Sequence, residues 1–92
     1  MKHVLRTKSY HDDLDRIEAR IAQDNPVAAV DLWLHIDQQV DALADPSFPR
    51  RIGQVPDTRE LVAHENYIVI LQEDDQKVIA LNVIHVRQKY PP

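Results

Sequence analysis

Gln23-Asp24-Asn25-Pro26-Val27-Ala28-Ala29 decides how this chain is read, because it stops one helix and starts the next within a few residues. Asparagine is a favoured N-cap, and proline suits the first helical position, where its missing N–H removes no helical hydrogen bond. Upstream, Leu14, Ile17 and Ile21 recur at spacings of three and four, which predicts a helix over about 9–23. Ser9 with Asp12 three residues later resembles a capping box with Asp in place of Glu. Asp12, Asp13 and Asp15 put negative charge at the positive end of the helix dipole. Downstream, Ala29, Val30, Trp33, Ile36, Val40 and Leu43 form a broad apolar face up to Asp45-Pro46, with Trp33 expected in the core. So short a connection predicts an antiparallel helical hairpin.

Outside the hairpin the periodicity changes. His3 to Thr7 reads as a short first strand. Pro46, Pro49, Gly53 and Pro56 mark an irregular loop. Arg59–His64, Tyr67–Leu71 and Lys77–Val86 then read as three consecutive antiparallel strands, the last two joined by the acidic turn Gln72-Glu73-Asp74-Asp75-Gln76. The expected fold class is α+β: an N-terminal strand and an antiparallel helical hairpin packed on a small twisted antiparallel sheet. Ninety-two residues are expected to form a single domain spanning 1–92.

Composition excludes several function classes. With no cysteine, disulfide scaffolds, thiolate metal sites and cysteine nucleophiles are ruled out. The single glycine, Gly53, rules out a glycine-rich phosphate loop. The five histidines, at 3, 11, 35, 64 and 85, form no His-x-x-x-His or His-Glu-x-x-His pair, so neither a metal nor a cofactor is expected. The longest apolar run, Tyr67 to Leu71, is far shorter than the ~20 residues of a membrane span. No apolar stretch near Met1 resembles a secretory signal, so a bacterial cytoplasmic protein without membrane association is expected. The formal charge of −4 is unusual for a nucleic-acid binder. It comes from the first half of the chain, while Arg50, Arg51, Arg59, Arg87 and Lys89 lie in the loop and sheet segments.

Strand alternation places His85 and Arg87 on the face of Leu81 and Val83, unless a bulge intervenes. A histidine and an arginine emerging together could bind an anion or shuttle a proton; the plainer alternative pairs Arg87 with Glu60. Arg59 shares a face with Leu61 and could reach the same surface as Arg87, and Tyr90 could join them or pack the tail before Pro91-Pro92. On the second helix Val30, Leu32 and Leu34 exceed what one face can bury and are candidates for a docking groove.

Taken in order, these features resemble the ParE/RelE toxin superfamily of type II toxin–antitoxin systems, across essentially the whole chain. The most specific are Asp24-Asn25-Pro26 with Ala28-Ala29, Arg59-Glu60-Leu61, and Val83-Ile84-His85-Val86-Arg87; the last is similar to the plasmid-stabilisation, ParE-like branch. The resemblance implies a growth-inhibiting toxin neutralised by a cognate antitoxin, in a homodimer or a toxin–antitoxin hetero-oligomer. ParE-like members are associated with poisoning DNA gyrase, and RelE-like members with cutting messenger RNA in the ribosomal A site. One fold hosts both activities, so the side chains must decide. RelE-like nucleases carry an arginine after the aromatic residue corresponding to Tyr67, where this chain has Ile68. Their next basic position on the face of Arg59 is here Leu61. Arg59, His85, Arg87 and Tyr90 remain as catalytic candidates, and Arg50, Arg51, Arg59, Arg87 and Lys89 as antitoxin- or target-binding candidates. The incomplete basic set favours the gyrase-binding reading. The alternatives are a ribosome-dependent endoribonuclease and a degenerate relative that only binds antitoxin; direct DNA binding by the toxin alone is not expected.

Overall fold

A computed structural model describes residues 1–91; Pro92 lies outside the described residues. The elements run β1 (His3–Arg6), α1 (Lys8–Ala22), α2 (Pro26–Ala42), β2 (Arg51–Ile52), β3 (Arg59–His64), β4 (Tyr67–Glu73) and β5 (Lys77–His85). They form one five-stranded sheet in the order β1-β5-β4-β3-β2, with the α1–α2 hairpin on one face. β3, β4 and β5 are antiparallel neighbours, whereas β1 lies parallel to β5. The sheet is therefore mixed, because the N-terminal strand enters beside β5 and leaves the hairpin to make the crossover.

Asn25 caps α2 as the sequence predicts: its Oδ1 accepts from the Ala28 N–H at 3.1 Å, with Pro26 in the first turn. The start of α1 differs. Thr7, not Ser9, is the N-cap; its Oγ1 accepts from the Tyr10 N–H and donates to the Leu81 carbonyl at 2.7 Å. The Thr7 N–H also donates to the Ala80 carbonyl, so strand pairing fixes where the helix begins. Asp12 instead accepts from Lys8 Nζ on the exposed helix surface. β2 occupies part of the loop predicted to be irregular. Nearby, a Cβ at Gly53 would meet Thr58 Oγ1 at 2.1 Å, so the close approach requires glycine there.

The core lies between the hairpin and the sheet. Tyr10, Leu14, Ile36, Val40 and Leu43 meet Leu61, Val69, Leu71, Val78, Ala80 and Val83. Trp33 is only half-buried and bridges the helices, donating from Nε1 to Asp15 Oδ1 at 3.1 Å. Val30 is 50% exposed and points away from the core stripe that the sequence assigned to it. Among the described residues, no helix is long and apolar enough to cross a membrane.

Charged side chains fasten the edges of this core. Tyr10 is wholly buried, and its hydroxyl donates to Asp37 Oδ1 at 2.9 Å, an oxygen that also accepts from Arg6 Nε at 2.8 Å. Burial first, and then the Asp37 carboxylate, push the Tyr10 phenol well above its ordinary range. On the outer edge of β5, beyond its pairing with β1, Asp13 Oδ2 accepts from the Val83 N–H and the Asn82 amide. This carboxylate satisfies an edge donor that no strand reaches.

Candidate functional site

The structure separates the basic residues that the sequence grouped together. Arg50 is enclosed, its side chain 7% exposed. Its guanidinium donates to the carbonyls of Phe48, Leu43 and Asp45 and pairs with Glu73 at 3.1 Å, so it closes the end of the hairpin onto β4. Arg51 pairs with Glu60 at 3.0 Å; Glu60 is only 3% exposed and also accepts from the Gln54 N–H. The predicted Arg87–Glu60 pair does not form, because that carboxylate is already engaged at the opposite end of the sheet.

Arg59 and Arg87 do not share a surface. Arg59 is in register with Leu71, and His85 with Tyr67, four residues away along β4. That spacing is roughly 13 Å along the strand. A bulge also separates Leu81 from the face of Val83: Ile70 pairs with Asn82, but Leu71 pairs with Ala80. β5 then ends at His85, leaving Arg87 in the following turn, exposed, with Lys89 exposed beyond it and Tyr90 half-buried. Alternation alone could not reveal the bulge, since it depends on pairing across strands.

The far end of the sheet gathers aromatic and basic groups around His85. Tyr67 stands between two imidazoles, edge-on to His85 with ring centroids 5.2 Å apart and tilted against His64 at 5.9 Å. His64 also approaches His35 on α2 at 6.2 Å. His64 Nδ1 accepts from the Asn66 N–H, and His85 Nδ1 from the Arg87 N–H at 3.0 Å. Each neutral ring therefore carries its hydrogen on Nε2 and presents a donor outward. His85 thus has no free lone pair with which to act as a general base. Among the described residues, no group of three histidine or carboxylate side chains is placed to hold a metal ion.

Of the eleven lysines and arginines, Lys2, Arg6, Lys8, Arg16, Arg50 and Arg51 pair with carboxylates. Among the described residues, Arg20, Arg87 and Lys89 make no such pair and lie toward the His85 end, whereas Arg59 and Lys77, also without one, stand toward the other. The sequence reading missed Arg16 and Arg20; their spacing of four on one helix was the available signal. A separate apolar ridge runs along α2: Val27 is 71% exposed, Val30 50% and Leu34 45%. Leu32, grouped with them in the sequence, instead packs partly against the core.

Residues 4–90 match the family described as ParE toxin of type II toxin-antitoxin system, parDE. A putative toxin, Y4kP, of Sinorhizobium fredii (strain NBRC 101917 / NGR234) is 37% identical over 78 residues, which span 85% of this chain and 81% of that protein. Among solved structures, the chromosomal ParDE toxin–antitoxin system from P. aeruginosa superposes with a TM-score of 0.84 at 21% identity, covering 95% of this chain and 98% of that one. The E. coli DinJ–YafQ toxin–antitoxin complex gives 0.64 at 11% identity, with 91% of each chain covered. Both structural likenesses concern the fold, and the sequence match carries the family. The chain is a toxin of a type II toxin–antitoxin system and belongs to the ParE toxin family.

Proposed function

We propose that this toxin inhibits growth by binding DNA gyrase rather than by cutting RNA, acting in the bacterial cytoplasm as one domain until a cognate antitoxin covers it. The observation that carries this reading is the dispersal of the basic side chains. Arg50 is enclosed in an internal pair, Arg51 is exposed but paired through Nε with Glu60, Arg59 stands at the opposite end of the sheet from Arg87, and His85 offers a hydrogen rather than a lone pair. Phosphodiester cleavage needs a base and charge-stabilising donors converging on one phosphate. This arrangement favours recognition of a protein surface over a chemical step.

The test is gyrase supercoiling in the presence of purified toxin. Supercoiling should be inhibited and restored by antitoxin, and induction in cells should cause filamentation with DNA damage. Normal supercoiling at large toxin excess overturns the gyrase target. In-frame messenger RNA cuts seen by primer extension would establish the nuclease reading instead, and unimpaired growth at high expression would leave only antitoxin binding. The α2 ridge is the proposed apolar contact for the antitoxin, since helix-in-groove recognition uses i, i+3, i+4 and i+7 anchors and Val27, Val30 and Leu34 follow that spacing. Leu34→Asp should weaken toxin–antitoxin binding by tenfold or more, on the order of 1.4 kcal/mol, without lowering toxin stability.

A further inference from the structure

Between α1 and the end of β5 lies a small polar recess of about 60 Å3, lined among others by Arg16, Arg20, Tyr67, His85 and Gln88. It is several times larger than the ~10–15 Å3 one water occupies. Beside it, sharing Asp13, Arg16, Val83 and Gln88, opens a cleft of about 250 Å3 that reaches Lys89 and Tyr90. We infer that this recess is a binding site for a phosphate monoester, with the adjoining cleft taking the nucleoside that carries it.

The groups on the walls suit an acceptor-only, doubly charged ligand. Arg20 has no carboxylate partner among the described residues, and Arg16 spends one nitrogen on Asp13 at a long 3.3 Å. The guanidinium fork therefore keeps donors to spare. His85 adds a fixed Nε2 donor, because its Nδ1 is held by the Arg87 N–H. The Gln88 amide oxygen faces the His85 N–H at 3.4 Å, which leaves its NH2 free to donate. The one carboxylate present, Asp13, is already committed to Val83, Asn82 and Arg16, so its repulsion of an anion is reduced.

Charge restricts the ligand further. A nucleic-acid strand would bring further phosphates against a protein whose −4 charge is carried by its helices, whereas one terminal phosphate needs only this recess. Tyr90, on the wall of the larger cleft, offers a ring against which a base can stack. The site depends neither on the gyrase target nor on antitoxin binding.

The test is an NMR titration of the isotope-labelled full chain with inorganic phosphate, AMP, adenosine and a short DNA duplex, at constant ionic strength. AMP should shift His85, Gln88 and the Arg16 and Arg20 side chains saturably, and adenosine should not. Arg16→Gln and Arg20→Gln should each weaken AMP about tenfold, the change expected for one charge-assisted contact, while Lys77→Gln at the other end changes nothing. Both arginines are exposed, so neither variant threatens the fold. Tighter binding of AMP than of inorganic phosphate identifies a nucleotide as the source, and equal binding identifies a free phosphate. The proposal is overturned if adenosine binds as well as AMP, if the arginine variants bind unchanged, or if the duplex binds more tightly with a steep salt dependence.

Discussion

Arg50 offers the sharpest test, because its sequence context suggests a binding residue and its surroundings make it structural. Replacing it with alanine removes donors to three carbonyls and the ion pair with Glu73, whose side chain is 14% exposed. Breaking a buried pair costs ~3–5 kcal/mol. Two features reduce that here: Glu73 retains Lys2 Nζ at 2.9 Å, and of the three residues whose carbonyls are freed Asp45 is exposed and Phe48 half-exposed, with only Leu43 buried. We therefore expect a loss of ~2–4 kcal/mol, against a total stability of ~5–14 kcal/mol for a chain of this length. Because each kcal/mol shifts Tm by ~4–8 °C at this size, Arg50→Ala should melt roughly 8–32 °C below the parent. Arg50→Lys should recover only part of this, since a single ammonium cannot reproduce the planar fork. Urea unfolding should show a lower midpoint with an unchanged slope, and any loss of toxicity should follow the fall in abundance. An Arg50→Ala protein that melts within ~3 °C of the parent yet has lost toxicity would refute this assignment and return Arg50 to the binding surface.

Other outcomes follow from the same structure. Gly53→Ala should destabilise by ~1–3 kcal/mol in thermal melts, because the added Cβ meets Thr58 Oγ1, itself held by the Val55 carbonyl. Tyr10→Phe should cost ~1–2 kcal/mol by denaturant unfolding, since Asp37 keeps Arg6 but loses a charge-assisted bond. In alkaline titration by tyrosinate absorbance, the raised Tyr10 phenol should ionise only as the protein unfolds; its contribution is complete below the ordinary tyrosine range and disappears as pH rises through the folded value. The N–H groups of Gln76 and Lys77 hold the Asp74 carboxylate below its usual range. Its contribution is therefore present above about pH 4 and lost as pH falls through the folded value, and Asp74→Asn should flatten the acid limb of the stability curve.

Particular residues show how far the sequence carries. Asn25-Pro26, the helical spacing on either side and the β-branched runs at Tyr67–Leu71 and Lys77–Val86 encode the hairpin and the three antiparallel strands. Capping and periodicity are local, so they survive without knowledge of the neighbours. The start of α1 was less legible, because Thr7 is chosen by hydrogen bonds to Ala80 and Leu81, more than seventy residues away. Likewise, no local signal reveals that β1 runs parallel to β5 or that Leu81 is the extra residue in a bulge.

The candidate site divides in the same way. From its own residues the chain determines a helical hairpin followed by sheet strands, the absence of cysteine and phosphate-loop chemistry, and a charge imbalance carried by its first half. Tertiary structure alone decides which of its cations are free. Arg50 and Arg51 look like exposed loop charges in the sequence, yet folding places Glu73 and Glu60 against them. Arg16 and Arg20 look like ordinary helix-surface charges, yet the packing of α1 against β5 brings His85 and, from the turn that follows, Gln88 opposite them. A side chain's availability depends on what packs around it from distant parts of the chain, and that is set by long-range pairing rather than by local spacing.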